Sequence, residues 1–133
     1  MSGKFVPASE AVRQQLDWGS LVWCSRPAST GAGNLVVIEV TLTPGGGHAF
    51  HKHPNQEEVI YVIEGEVEQW LDQEKQVLGA GDSVFISGDT VHASFNKSDR
   101  DAKLLAILSP CIGDGDGYEL EDVAEQAPWN ELQ

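Results

Sequence analysis

Short apolar runs separated by turn residues dominate the middle of the chain. Residues 35–42 and 59–67 are rich in valine and isoleucine, residues 84–86 and 103–108 form shorter apolar runs, and residues 92–96 alternate in character. Turns rich in glycine, serine and aspartate separate these runs at intervals of about 8–12 residues. That spacing is typical of an antiparallel sandwich or barrel, so the sequence predicts an all-β fold.

The two ends of the chain differ from this middle region. Residues 9–16 predict one short helix, with Ser9 as its N-cap. Residues 113–133 hold seven acidic residues and no basic residue, together with scattered apolar side chains. We therefore expect a single domain over residues 1–112 and an acidic tail over residues 113–133, packed on the surface of the domain through Trp129 and Leu132.

Composition narrows the classes of partner. The 133 residues correspond to about one domain, and 21 acidic against 8 basic residues give a net charge of −13. This charge disfavours nucleic acid and anionic membranes, because both need clustered lysine and arginine. With no long apolar segment and no signal-like N-terminus, the chain is expected to be cytoplasmic. Cys24 and Cys111 stand in no Cys-x-x-Cys pair and are expected to be free thiols in a reducing compartment.

The candidate functional residues of the chain are its four histidines: His48, His51, His53 and His92. His51 and His53 share one face of a strand because alternate residues point the same way. Glu58 can return to that face after a turn, and His92 opens another strand. Imidazole and carboxylate ligands suit a divalent transition metal ion, although histidines that are merely solvated or buried in the core remain an alternative at this point.

These residues resemble the two motifs of the cupin superfamily. The first, Gly-x5-His-x-His-x(3,4)-Glu-x6-Gly, is matched by Gly45, His51, His53, Glu58 and Gly65. The second motif is Gly-x5-Pro-x-Gly-x2-His-x3-Asn. This sequence matches it at Gly81, His92 and Asn96, whereas Ser87 and Asp89 replace the usual proline and glycine. Both departures lie in the turn before the strand that His92 opens, and neither is a candidate metal ligand. The 15-residue spacer over residues 66–80 is similar to that of small single-domain microbial cupins.

The resemblance implies a double-stranded β-helix, a jelly-roll-like cupin barrel, around one divalent transition metal ion (Fe, Mn, Ni, Co, Cu or Zn). It implies four metal ligands: His51, His53, Glu58 and His92. Glu57 is the alternative carboxylate, but a shift of one residue should turn it to the opposite face. His48 is an odd number of residues from His51, so strict alternation would turn it to the opposite face. It is therefore predicted to be an exposed loop histidine at the barrel mouth, rather than a fifth ligand or a proton shuttle. Asn96 is either a structural turn residue or a hydrogen-bonding partner of a ligand.

The resemblance also implies a function, as a metal-dependent enzyme on a small oxygen-rich molecule, dioxygenase-like or isomerase/lyase-like. Glu58 would then be the catalytic residue that takes a proton from the substrate. Two alternatives stay open: a non-catalytic domain that binds or senses a small ligand, and a dimer in which the metal is purely structural. Few basic residues lie near the motifs, so we expect a neutral or weakly acidic ligand, which an inward Arg26 or Arg100 would contradict. A homodimer is expected, paired through an edge strand at residues 35–40.

Overall fold

Two antiparallel sheets form the framework of the fold in a computed structural model that describes residues 2–132. The strands are β1 (Val12–Leu16), β2 (Gly19–Ser25), β3 (Val36–Leu42), β4 (Gly47–Lys52), β5 (Glu57–Glu64), β6 (Val67–Leu71), β7 (Glu74–Leu78), β8 (Ser83–Ile86), β9 (His92–Phe95), β10 (Ala102–Ser109) and β11 (Glu121–Asp122). A helical turn, α1 (Pro27–Thr30), follows β2, and a 3-10 turn (Trp129–Glu131) lies near the end of the tail. The all-β, double-stranded β-helix prediction is therefore confirmed.

The six-stranded sheet has the order β1-β2-β3-β10-β5-β8 and carries the main core on its inner face. β3 and β10 alternate strictly between buried and half-buried residues, because apolar side chains occupy every second position. Val36 and Leu42 on β3 are completely covered, and Leu108 on β10 is nearly so. This face forms one wall of the barrel.

The five-stranded sheet has the order β11-β4-β9-β6-β7 and supports a second apolar cluster. Phe50 and Ala93 in this cluster are neighbours of His51 and His92 along their strands, so the cluster lies on the face opposite the histidines. The tail covers this face, and Trp129 and Leu132 pack against the cluster. β11, also from the tail, extends the sheet by pairing with β4.

The predicted helix over residues 9–16 is wrong. Residues 8–10 form a turn, and β1 follows as an edge strand that pairs along its whole length with β2. A segment of eight residues is too short to hold a helix by itself in water. The exposed edge of β2 offers its backbone the hydrogen bonds of a sheet, and this tertiary pairing decides the structure.

The strand expected to pair two copies is also wrongly placed. β3 lies between β2 and β10, so its backbone groups are already paired on both sides. The edges of this sheet are β1 and β8. The homodimer itself stays a prediction, but residues 35–40 do not offer a free edge for it.

Candidate metal centre

Three imidazoles meet inside the barrel at one end of β4 and β9. His51 and His92 face each other across these two strands, and His53 follows directly after β4. All three side chains are buried, and each offers a nitrogen within 4.8 Å of the others. This spacing allows one ion to contact all three nitrogens.

The other nitrogen of each ring fixes its orientation. Nδ1 of His51 contacts the Ala49 carbonyl at 2.6 Å, and Nδ1 of His92 contacts the Thr90 carbonyl at 3.0 Å. Nδ1 of His53 contacts the Glu119 carbonyl at 2.7 Å. Because a carbonyl only accepts, Nδ1 carries the proton in each neutral ring, which leaves Nε2 free as a ligand atom. Backbone carbonyls orient metal-binding histidines in this way.

Glu58 lies against the same nitrogens. Its Oε1 is 3.3 Å from Nε2 of His53 and 2.9 Å from Nε2 of His92. Its side chain is buried, whereas that of Glu57 is exposed. Glu58 Oε1 and His92 Nε2 are both buried, and neither makes a hydrogen bond although the two atoms lie close together. Buried polar atoms without a partner are costly, and a cation among them would satisfy both, so this donor set fits a divalent transition metal.

Burial and neighbouring charges shift the pKa values of Glu58 and His53 in opposite directions. Burial raises the pKa of Glu58, but its contacts with His53 and His92 lower that pKa by a larger amount. Glu58 therefore remains a carboxylate. Burial lowers the pKa of His53, but the contacts with Glu58 and Glu119 together raise it above its usual value. Burial lowers the pKa of His51 well below its usual range, so its ring is neutral at pH 7. The cluster therefore combines the buried Glu58 carboxylate with a neutral His51 ring, and a bound cation would replace the proton that Glu58 favours on His53.

The prediction that His48 is an exposed loop histidine is wrong. His48 lies within β4, pairs with Ser94, and stacks between Trp18 and His51. A β-bulge causes the error: the three-residue step from His48 to His51 faces the two-residue step from Ser94 to His92. The bulge turns His48 to the same face as His51 despite its different parity. Burial lowers the pKa of His48 to about 4.

A cavity of about 210 Å³ opens onto the cluster. Its main wall is apolar and comes from the inner face of the six-stranded sheet, with these residues: Leu21, Ile38, Val40, Ala106 and Leu108. Trp18, Tyr118 and Gln14 complete the opening. No lysine or arginine is among the described residues that line it. Arg26 pairs with Asp116, and neither Arg26 nor Arg100 is among the described residues that line the cavity.

Tyr118 and Glu119 are the site residues that sequence reasoning missed. The ring of Tyr118 lies 5.7 Å from that of His53, and burial raises the pKa of its phenol, so it is a neutral hydrogen-bond donor. Both residues lie about 60 positions after Glu58 in the chain. The only signal was a lone tyrosine in a segment otherwise rich in glycine and acidic residues.

Asn96 is a structural residue. Its amide donates to the carbonyls of Leu42 at 2.9 Å and Arg100 at 2.6 Å, and its oxygen accepts from Ser98. These bonds join the turn after β9 to the end of β3. Asn96 makes no hydrogen bond to a candidate metal ligand among the described residues.

Known proteins resemble this chain in sequence. The sequence model of the family described as "Cupin domain" matches residues 38–108. "Polyketide synthase CurC" of Streptomyces cyaneus is 31% identical over 110 residues, which cover 83% of this chain and 71% of that protein. "Protein SchB" of Streptomyces halstedii is 32% identical over 104 residues, with coverage of 77% and 75%.

The fold is shared with solved structures at much lower identity. A "predicted oxalate decarboxylase" from Thermotoga maritima superimposes with a TM-score of 0.72 at 19% identity, covering 80% of this chain and 99% of that one. This likeness shows the fold alone.

No helix among residues 2–132 is long and apolar enough to span a membrane.

Proposed function

The chain belongs to the cupin family, and on that basis we propose that it is a metal-dependent enzyme acting on a small oxygen-bearing molecule. The observation that carries this proposal is the buried cluster of His51, His53, His92 and Glu58 at the end of an apolar cavity. A structural site is normally closed, whereas a catalytic one keeps positions open for a substrate. Here the cavity provides access to the cluster.

The three histidines would hold one divalent transition metal ion, with Glu58 as the fourth ligand. When bound, such an ion polarises a ligand oxygen or supports reaction with O₂. Glu58 would accept a proton from the substrate, because its carboxylate lines the cavity beside His53 and His92. Tyr118 donates a hydrogen bond to a substrate oxygen, and Trp18 and the apolar wall exclude water and orient the carbon skeleton.

Charge balance favours a substrate that carries a single negative charge. A divalent ion and the Glu58 carboxylate leave one positive charge in a cavity that has no lysine or arginine on its described lining. A phenolate or the enolate of a diketone would neutralise it, whereas a dianion such as oxalate would leave a buried excess charge. The relative CurC carries the name of a polyketide synthase, and this name supports a polycarbonyl or phenolic substrate. The reaction is then dioxygenase-like, or isomerase- or lyase-like.

The first experiment identifies the metal and then the reaction. The protein is purified without chelator or added metal and subjected to elemental analysis. O₂ uptake and product mass are then followed with a panel of diketones and polyphenols, with oxalate as the charged comparison. We expect turnover of a diketone or phenol and none of oxalate. Heat stabilisation by a compound that is never converted would instead identify a ligand-binding domain.

A further inference from the structure

The loop between His53 and Glu58 is attached to the tail through a buried amide. Gln56 is 2% exposed. Its Nε2 donates to the carbonyls of Pro110 at 2.7 Å and Gly117 at 3.0 Å, and its Oε1 accepts from the amide of Glu119 at 3.2 Å. Asn55, next to it, donates to the Glu119 carboxylate. Apart from the bond to Pro110, the side chains of Asn55 and Gln56 thus bind Gly117 and Glu119, which belong to a segment, residues 117–123, that we call the strap.

The strap also contacts a candidate metal ligand directly. His51 and His92 are each oriented by a carbonyl two residues earlier in the chain. His53 is oriented by the carbonyl of Glu119, which is 66 residues away. Among the three imidazoles, the orientation of His53 therefore depends on whether a distant segment is docked.

The strap has few backbone pairings with the barrel, although Val123 packs in the second apolar cluster and Tyr118 packs against the main core. β11 pairs with β4 at two positions, where Glu121 and Asp122 face Lys52 and His51. The Val123 amide donates to the Phe50 carbonyl at 3.0 Å, and Lys52 lies 3.9 Å from the Glu121 carboxylate. Residues 113–116, just before the strap, are exposed. A segment with so few pairings opens at a lower free-energy cost than the central strands.

We propose that Gln56 and Glu119 are positioning residues through which strap docking and metal binding stabilise each other. This inference rests on the proposed metal centre. With the strap docked, the Glu119 carbonyl fixes the Nδ1 proton and the ring plane of His53, so Nε2 points at the other two imidazoles. With the strap released, His53 loses this partner and rotates. Coupling between two equilibria is reciprocal, so a bound ion holds the strap in place by the same factor.

The test uses Co²⁺ titrated into full-length, chelator-treated protein, with affinity measured by competition against a chromophoric chelator. Gln56→Met keeps the side-chain volume and removes all three hydrogen bonds. We expect Co²⁺ affinity to fall about 10–100-fold, the usual effect of losing a contact that orients a ligand. The visible Co²⁺ spectrum should change as well, because the His53 geometry changes.

Gln69→Met is the matched control. Gln69 is equally buried, at 3% exposed, and its hydrogen bonds reach Ser94 and the Trp70 carbonyl instead of the strap. We expect Gln69→Met to bind Co²⁺ within about threefold of the wild type and with the same spectrum. Equal Co²⁺ affinity in Gln56→Met and the wild type would overturn the inference while leaving the metal centre intact.

Hydrogen exchange of the wild type provides a measurement that needs no variant. Saturating Co²⁺ should slow the exchange of backbone amides across residues 117–123, including that of Glu119. Unchanged exchange in this segment would overturn the coupling even if every variant failed to fold. Absence of Co²⁺ binding by the wild type would instead remove the proposed metal centre and this inference with it.

Discussion

His48 stacks on His51 with the ring centroids 3.7 Å apart and the planes only 14° from parallel. One ring of this pair is a candidate metal ligand, and the other lies between it and Trp18 at the cavity. The contact holds the His51 ring from the side, while the Ala49 carbonyl holds it at Nδ1. His48 thus supports the His51 ring by packing and also lines the cavity.

Replacing His48 separates packing from coordination. In His48→Ala the stack is lost, and since aromatic pairs contribute about 0.5–1.5 kcal/mol, Co²⁺ affinity should fall by about tenfold or less. His48→Phe retains a ring and should keep affinity close to that of the wild type. Both variants should still bind one Co²⁺ per chain. A loss in His48→Phe as large as that in His51→Ala would identify His48 as a ligand.

Glu58 and its neighbour Glu57 offer a matched pair of variants. Glu58→Gln keeps the shape and removes the buried carboxylate, so turnover should be abolished and metal affinity reduced even if some metal remains bound. Glu57→Gln alters an exposed side chain and should change neither. Steady-state rates and metal content of the two purified variants provide the measurement. Equal activity of Glu58→Gln and the wild type would remove its role as the base.

Metal removal should lower the melting temperature. Without an ion, Glu58 Oε1 and His92 Nε2 are buried without a hydrogen bond, whereas a bound ion stabilises the folded state by about 2.7 kcal/mol at 100 times its Kd. Calorimetry should therefore show a Tm that rises with added Co²⁺ after chelation. His92→Ala is the control and should show little or no rise. A Tm indifferent to metal in the wild type would contradict the proposed centre.

Tyr118 should affect turnover more than folding. Tyr118→Phe removes the phenol but keeps the ring that packs near Trp23 and His53. We expect an unchanged Tm, unchanged Co²⁺ affinity and a fall in kcat/KM of about tenfold, the effect of losing one hydrogen bond of about 1.4 kcal/mol. Tyr61→Phe, on a side chain 42% exposed, is the control. Identical kinetics for Tyr118→Phe and the wild type would show that the phenol does not contact the substrate.

Short apolar runs and the turn residues between them predicted much of the barrel. β3 and β10 lie in two of these runs, and the structure buries every second residue of each. The two-residue period of a strand also placed His51 and His53 on one face and separated Glu58 from Glu57. These relationships are local, so the pleat of a strand decides them.

Where local periodicity was interrupted or weak, prediction from the sequence was wrong. The β-bulge in β4 reversed the face expected for His48, because an extra residue on one strand of a pair changes the parity of those before it. β1 carries too few apolar positions to indicate its state, and its pairing with β2 made it a strand. The position of β3 inside its sheet followed from pairing with β2 and β10, which no pattern within residues 35–40 could reveal.

The sequence by itself determined the strand pattern and the set of imidazole and carboxylate groups near one another along the chain, since both depend on residue type and short spacing. Only the tertiary structure decided how His92 reaches His51, how His48 enters the cavity, and how residues 117–123 come to hold His53. Those contacts join segments many residues apart, and their geometry depends on strand order, a bulge and the packing of the tail. Backbone hydrogen bonding across the two sheets supplies that information.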